Sequence, residues 1–577
     1  MVLRFGLGRV ALLSVIAVPL WAQQEPSPQR AFDLERRGNY QAAAEAYRAV
    51  LKPKPNDLGA LLGLERSLQA LGKVSDMTDA LARAFASGER SVGLYSVAVR
   101  VWTAARMADS VKAAIEKWIQ LEPNSEAPYQ EWGSAALAIR DKEQAQAAYT
   151  MGRLRLKNPQ ALAGEVAQLA TMDGNYADAV KEWLVAVAKT PSYRSAAVSL
   201  LAQVRGEGRA AVLRHLGDAG QPTAERIGAI LTIRWGDPVG GARRIERALP
   251  GLGSGGTEAL QEVLDELRGL TTKDGFLARG ITLELLGGRV QAQASRFWLE
   301  AAQAYAEAGE QPSARRMLAK LAGDPNSSPG IAASATSTLV GVLVSEGKMN
   351  EADKQFGELK GVLAPEERAQ LGIKLAEGWI RAGKLDRAEQ AVANDSTVEA
   401  FAVKGRIKLY QGDITAAAEL LRAAGPYAGE RDMSTARASV LALLQVLTED
   451  SLPALGAALW KLEQRDTAAA AHELEAAARK LEPDKGGAEA FLLAGRLHLQ
   501  LKQLSEAERI LKEVAAAKVP ASAAQAELEL ARLYVQRGDK APAIELLEHL
   551  LVSYPVSAVT PQARRLLDVA KGAIPPS

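Results

Sequence analysis

The histidines are the first residues to consider for catalysis or metal binding, because imidazole exchanges protons near neutral pH and ligates metals. The chain of 577 residues has four, which are spread along it as His215, His472, His498 and His549. None stands in a paired metal-ligand spacing such as His-Glu-x-x-His, and no cysteine is present anywhere. We therefore expect ordinary helical histidines and no metal or cofactor.

A glycine-rich segment at residues 251–256, with the sequence Gly-Leu-Gly-Ser-Gly-Gly, has the composition of a phosphate-binding loop. No predicted strand precedes it, and neither a Walker lysine nor a dinucleotide-type acidic residue accompanies it, so a break between helices is predicted instead. The serines do not form a Gly-x-Ser-x-Gly elbow with a suitable histidine and acid. The sequence thus predicts no catalytic residue, and we expect a protein that is not an enzyme.

Five arginines share one place in the sequence, and their chemistry is the recognition of anions. Each stands six residues before a turn residue: Arg66, Arg100, Arg406, Arg496 and Arg532 precede Gly72, Arg106, Gly412, Lys502 and Gly538. A guanidinium binds a carboxylate bidentately, so arginines one repeat apart suit an extended acidic partner. The alternative is that they are solvated, or pair with glutamates of neighbouring helices, as surface charges often do.

An internal repeat positions these arginines. Predicted turn residues recur every 34 residues as Gly38, Gly72, Arg106, Arg140 and Gly174. A unit of that length holds two helices and two turns and is too small to bury its own apolar face, so neighbouring units must stack. Good helix formers dominate the composition and no alternating β-branched runs occur. The prediction is an all-α solenoid of stacked antiparallel helix pairs.

Two copies of the repeat show its pattern most completely. Residues at the turn and two, five, nine and seventeen positions later are Gly38, Tyr40, Ala43, Tyr47 and Pro55 in one copy, and Gly174, Tyr176, Ala179, Trp183 and Pro191 in the other. Near the C-terminus, Gly538, Ala543 and Pro555 repeat part of it. The small alanine lets two helices approach, the aromatic side chain fills the space beside it, and the proline ends the helix.

This pattern resembles the tetratricopeptide repeat, in which an aromatic, a Leu-Gly pair, a tyrosine, an alanine and a proline recur in the same order. The resemblance covers nearly the whole chain and is poorest between about 205 and 295. It implies a right-handed superhelix whose first helices line a concave groove for proteins or peptides. It also places the five arginines in that groove.

The spacing of the turns suggests a domain organisation. We expect an N-terminal array at 23–204, degenerate repeats at 205–295 with a glycine-rich break near 250–256, a middle array at 296–430, and a C-terminal array at 431–577. Within the degenerate region, turns are predicted at Gly208 and Gly236 and near Gly288. The last array is expected to contain an extra helix within Thr435 to Leu447 and a capping helix from Thr560 to Lys571.

Residues 1–22 have the features of a secretory signal peptide. Arg4 and Arg9 precede an apolar stretch that is too short to favour a membrane span, and Ala22 stands at the expected cleavage point. An uncleaved anchor is the alternative. Without this segment the charges balance, because 70 basic and 68 acidic residues become 68 and 68, so no general attraction to nucleic acid or anionic membrane is expected.

These observations predict an exported scaffold, periplasmic or secreted, that mediates protein-protein interactions. The C-terminal run from Tyr554 to Arg564 is similar to the closing repeats of bacterial cell-envelope assembly factors, which implies a role in cell-envelope assembly. Two alternatives remain: a periplasmic scaffold for exopolysaccharide export, and an enzyme hidden in the degenerate region 205–295. The missing catalytic residues disfavour the enzyme.

Overall fold

The computed structural model describes residues 27–324, 327–359, 361–425 and 440–573, so the predicted signal peptide at 1–22 lies outside the described residues. In this part of the chain α-helices are joined by short loops, and the only bridge of β type pairs Asp413 with Ser451. The all-α prediction is confirmed. None of the described helices combines the length and apolar character that crossing a membrane requires. Contacts divide the chain into two compact units, Met1–Glu266 and Leu267–Ser577.

The first unit contains fifteen described α-helices. They are α1 (Pro28–Arg36), α2 (Tyr40–Leu51), α3 (Leu58–Ala70), α4 (Thr78–Ala86), α5 (Val92–Ala104), α6 (Ala108–Leu121), α7 (Ala127–Ala138), α8 (Lys142–Arg155), α9 (Ala163–Met172), α10 (Tyr176–Lys189), α11 (Tyr193–Leu201), α12 (Gly208–Asp218), α13 (Pro222–Arg234), α14 (Pro238–Leu252) and α15 (Gly256–Glu266).

The described part of the second unit contains sixteen further α-helices. They are α16 (Lys273–Arg289), α17 (Ala294–Ala308), α18 (Gln311–Ala322), α19 (Pro329–Ser345), α20 (Met349–Glu358), α21 (Pro365–Arg381), α22 (Leu385–Val392), α23 (Val398–Gln411), α24 (Ile414–Ala424), α25 (Pro453–Glu463), α26 (Thr467–Ala478), α27 (Gly487–Gln500), α28 (Leu504–Ala516), α29 (Pro520–Arg537), α30 (Lys540–Ser553) and α31 (Thr560–Ala570). Residues 440–446 are also helical, whereas the earlier part of the extra helix predicted from Thr435 lies outside the described residues.

Within each unit, most consecutive helices pack as antiparallel pairs, and neighbouring pairs contact one another. The first helices of the pairs carry odd numbers, and α16, which begins the second unit, packs on α17. The first helices contact one another, as α5 contacts α7 and α19 contacts α21, while the second helices pack behind them. The last described helix, α31, packs on α29 and α30. Both units are therefore helical-repeat stacks with a tetratricopeptide-like fold.

The turn inside a pair needs a left-handed backbone, which glycine adopts at the least cost. Gly38 and Gly174 lie there with φ of 77° and 75°, and Arg106 and Lys502 take the same conformation at 57° and 59°. Each such turn lets the chain reverse within two or three residues. The pairs thus lie antiparallel.

The predicted turn at Gly208 is wrong. Because α11 already ends at Leu201, the connecting loop comes earlier than the 34-residue interval requires, and Gly206 adopts the positive φ of 57°. Gly208 begins α12 instead, where an added Cβ would meet Val204 and the ring of Tyr176. The interval therefore does not hold in this part of the chain.

The glycine-rich segment joins two helices closely. Helix α14 continues through Pro250 to Leu252, a single 3-10 turn follows at Gly253–Gly255, and α15 begins at Gly256. The boundary between the two units follows α15. The turn predicted near Gly288 lies slightly after this residue in the sequence, because α16 includes Gly288 and ends at Arg289.

The core of each stack combines small alanines with larger aliphatic and aromatic side chains. Ala43, Ala179 and Ala543 are fully buried, and Tyr47 and Trp183 lie in the same core one helical turn after an alanine. Alanine leaves room for the neighbouring helix, and the large ring then fills the space between pairs. The prolines at 55, 191 and 555 lie in the turns after the second helices.

Candidate functional site

The five predicted arginines all lie on first helices. Arg66 and Arg100 belong to α3 and α5 of the first unit, and Arg406, Arg496 and Arg532 belong to α23, α27 and α29 of the second. We call the surface formed by the odd-numbered helices of a unit its first-helix face. What each arginine can bind depends on the carboxylates that already surround it.

Arg66 is occupied by a glutamate of the preceding first helix. Its Nε and Nη2 donate to the two carboxylate oxygens of Glu35 at 2.6 and 3.0 Å, and the phenol of Tyr47 donates to the same carboxylate at 2.7 Å. The hydrogen bond from Arg66 holds the pKa of Glu35 below its usual value. A carboxylate of a partner would have to displace this bidentate pair.

Arg100 is enclosed by glutamates on both sides. Its Nη2 donates to Glu65 of α3 at 2.7 Å, its Nη1 pairs with Glu131 of α7 at 2.9 Å, and Nη1 also contacts the hydroxyl of Ser96 at 2.6 Å. Hydrogen bonding to the buried Glu65 raises the pKa of Arg100 further above its usual value. This arginine links three consecutive first helices and has little capacity left for an external ligand.

Similar pairs continue along the first unit, at positions that the sequence pattern did not single out. Arg226, which is buried, contacts both Glu258 and Glu262 at 2.8 Å, and Arg234 contacts Glu266. We call these contacts between neighbouring first helices the arginine-glutamate ladder. A glutamate about one repeat away from an arginine is the sequence signal that could have revealed it.

Arg406 in the second unit is mostly buried and poorly paired. Its nearest described carboxylate, Glu377, lies 3.7 Å from Nη2, and its Nε has no hydrogen-bond partner within the described residues. Only 18% of the side chain is exposed. Access to an external ligand is therefore limited here as well.

Arg496 and Arg532 differ from the other three because they share one carboxylate, whereas the equally exposed Arg66 holds a glutamate of its own in a bidentate pair. Glu529 lies 3.4 Å from Arg496 and 3.3 Å from Arg532, and amide oxygens of Gln525 and Gln562 accept one hydrogen bond from each. The two side chains are 42% and 47% exposed. Two guanidinium groups around one carboxylate leave an excess of positive charge. We call these five residues the C-terminal arginine patch.

The four histidines are not members of this patch. His215, His472 and His549 belong to the second helices α12, α26 and α30, and His498 is buried in α27 with its Nδ1 2.6 Å from Gln503 Oε1. Among the residues that the structure describes, no group of three or more histidines and carboxylates is arranged to hold a metal ion. The arginine patch is the candidate functional site.

Comparisons with known proteins add no function to this description. No protein-family model and no curated protein matches the chain. It is similar to a chain in the crystal structure of the APC/C hetero-tetramer Cut9-Hcn1, with 15% identity, a TM-score of 0.23, and coverage of 94% of this chain and 95% of that chain. It is also similar to a chain in the structure of Naa15/Naa10 bound to HypK-THB, with 12% identity, a TM-score of 0.21, and coverage of 95% and 97%. Such loose superpositions carry no argument, so the fold rests on the helix pairs described above.

Proposed function

We propose that the protein is a non-catalytic scaffold that binds other proteins or peptides on the first-helix face of its second unit. The observation that carries this proposal is the C-terminal arginine patch, where two half-exposed guanidinium groups share one carboxylate. A carboxylate of a partner can add to each arginine with the planar, two-point geometry that guanidinium groups favour.

The rigidity of the helices supports this interpretation. Arg496 and Arg532 stand on α27 and α29, which are neighbouring first helices held by the same core of mainly aliphatic side chains. Because the scaffold is ordered before binding, less binding energy is spent on ordering the site. Partner affinity would come from a few such residues on a fixed surface.

We further propose that the protein acts after export, in the assembly of the cell envelope. The support is the signal-like segment at residues 1–22 and the resemblance of the run from Tyr554 to Arg564 to closing repeats of envelope assembly factors. A scaffold for exopolysaccharide export is the second candidate, because exposed arginines would also attract acidic glycans. Binding of such glycans would weaken steeply with salt, which separates the two functions.

The test is capture of partners from an envelope extract by the purified protein. Proteins that bind the patch should be retained by the parent chain and lost when Arg496→Glu and Arg532→Glu are combined. The matched control combines Arg83→Glu with Arg214→Glu, which makes the same charge change at two exposed residues of the second helices α4 and α12. Equal retention by the patch variant and the control would refute the proposal.

A further inference from the structure

The first-helix face of the second unit has a gap over α19. Six residues before its turn residue Gly347, this helix carries Gly341, whereas Arg406 and Arg496 stand at the same place in α23 and α27. A Cβ added at Gly341 would meet no other atom within 4 Å. The gap is a groove of about 570 Å³ between α17, α19 and α21, which we call the α19 groove.

Small side chains form the floor of the α19 groove. Helix α19 contributes Ser334, Ser337, Thr338, Gly341, Val342 and Ser345 to its lining. Since none of these side chains extends far from the helix, the backbone of a bound segment can approach α19 closely. The groove spans three first helices at spacings of about 10 Å, which corresponds to about six residues of extended chain.

The walls of the groove carry charges that the ladder leaves unpaired. Glu307 of α17 and Glu367 of α21 are both exposed and have no ion pair within the described residues. Elsewhere on the first-helix faces, the glutamates of the ladder are held by arginines. These two carboxylates therefore remain available to cationic groups.

Lys374 of α21 also lines the groove and is unpaired within the described residues. The positions of the ion pairs explain why. Arg100 and Arg496 pair with Glu131 and Glu529, each of which stands nine residues before the turn of the next helix pair. In the α19 groove the residues at the two equivalent positions are Gly341 and Lys374, which cannot form such a pair. The lining thus has two free carboxylates and one free ammonium, a net negative charge.

Two polar atoms in the lining are shielded from solvent and lack partners. Gln311 Oε1 and Ser337 Oγ have no hydrogen bond within the described residues. A buried polar atom without a partner is unfavourable, and an amide oxygen can only accept. Peptide N–H groups and the head groups of lysine or arginine supply the missing donors.

From these observations we infer that the α19 groove binds an extended segment of a partner protein that carries lysine or arginine side chains. Glu307 and Glu367 would pair with the basic groups, while backbone N–H groups of the segment donate to the shielded oxygens. This inference rests on the proposed scaffold function and adds a second surface, with a preference opposite to that of the C-terminal arginine patch. A single partner with acidic and basic segments could then contact both.

The test uses fluorescence anisotropy of the full chain with three labelled octapeptides that alternate serine with lysine, glutamine or glutamate. The lysine peptide should bind at least tenfold more tightly than the other two. Combining Glu307→Gln with Glu367→Gln should weaken its binding at least tenfold, and Lys374→Gln should strengthen it. Gly341→Arg should abolish binding, because it places in the groove the side chain that occupies this position in α23, α27 and α29.

The matched control combines Glu351→Gln with Glu358→Gln on the second helix α20, where both residues are exposed. It removes the same charge outside the groove and should leave the affinity of the lysine peptide unchanged. Equal affinity for the three peptides, or an equal loss in the groove and control variants, would overturn the inference. Either result leaves partner capture by the arginine patch intact, so the two proposals fail separately. The glutamine variants remain informative even where Gly341→Arg does not fold.

Discussion

Replacing Gly133 by alanine tests the packing of the helix pairs at their tightest point. Gly133 lies in α7, and the ring of Tyr149 from α8 covers the position that a Cβ would take. An added Cβ would lie 2.7 Å from the phenol oxygen and closer still to two ring carbons. Carbon atoms at rest lie about 3.5 to 4.0 Å apart, so the ring or the helix must move by about 1 Å.

Two opposing effects set the magnitude. Overpacking a core by one carbon costs about 1 to 3 kcal/mol, and the upper end applies here because Tyr149 is only 1% exposed and has no free space to enter. Replacing glycine by alanine inside a helix stabilises the helix by about 1 kcal/mol. We therefore expect Gly133→Ala to lower the free energy of unfolding by about 2 kcal/mol.

The assay is urea denaturation of the purified protein, followed by far-ultraviolet circular dichroism. The control is Gly217→Ala in α12 of the same unit, where an added Cβ would make only an ordinary contact at 3.6 Å with Arg244. This control should raise the free energy of unfolding by up to about 1 kcal/mol. The same chemical change is thus expected to have opposite signs at the two sites.

A second variant identifies Tyr149 as the cause. In the background Tyr149→Leu, which removes the ring, Gly133→Ala should cost little or become stabilising, a coupling of about 2 kcal/mol between the two positions. If Gly133→Ala and Gly217→Ala had the same effect, or if the cost persisted without the ring, the assigned packing of α7 on α8 would be wrong.

Three further predictions follow from other positions. Ala179→Leu inserts a large side chain into a fully buried site between helices and should lower the free energy of unfolding by about 1 to 3 kcal/mol in urea titrations; an unchanged unfolding curve would contradict the packing. Gly412→Ala should destabilise the protein more than Gly347→Ala. Both glycines have a positive φ that costs alanine about 1 kcal/mol, but only at Gly412 would the Cβ also meet backbone atoms of Pro453. Equal melting temperatures of the two variants would refute this. The hydrogen bond from Lys512 lowers the pKa of Glu508 from 4.5 to about 2, so the stability that it contributes is present above pH 4.5 and is lost as the pH falls towards 2. Glu508→Gln should therefore cost about 1 kcal/mol at pH 7 and progressively less below pH 4.5, and a cost that does not depend on pH would rule out the ionic contact.

The fold was predictable because the repeat places similar residues at similar distances. Arg106 and Lys502 are unlikely turn residues when taken alone, since a left-handed backbone is costly for a side chain with a Cβ. The interval from neighbouring glycines identified them, and both have a positive φ. Gly208 shows where this reasoning fails: a helix that ends early moves the loop, and a nearby glycine takes the turn instead.

The partners of the arginines could not be read from the sequence. Arg100 pairs with glutamates 35 residues before it and 31 residues after it, and Arg66 reaches back 31 residues. Several glutamates stand near these distances, and the choice among them depends on the register between neighbouring first helices. Only packing fixes that register, so the sequence could locate the arginines without showing which of them are already occupied.

The same dependence on packing hid the α19 groove. Gly341 occupies the place of the arginines, which the sequence shows, but an absent side chain has no chemistry of its own. The groove becomes visible only when Glu307 of α17 and Glu367 of α21 are seen on either side of α19. A gap in a repeated pattern is therefore as informative as its recurring residues.

Partner binding by the first helices of the second unit can be measured at the level of single side chains. Hydroxyl-radical footprinting of the purified protein, with and without a captured partner, measures this directly because it reports the solvent exposure of individual side chains. We expect protection of side chains on α27 and α29 around Arg496 and Arg532, with no change on the second helices α28 and α30. Protection of α28 and α30, with the first helices unchanged, would contradict this expectation.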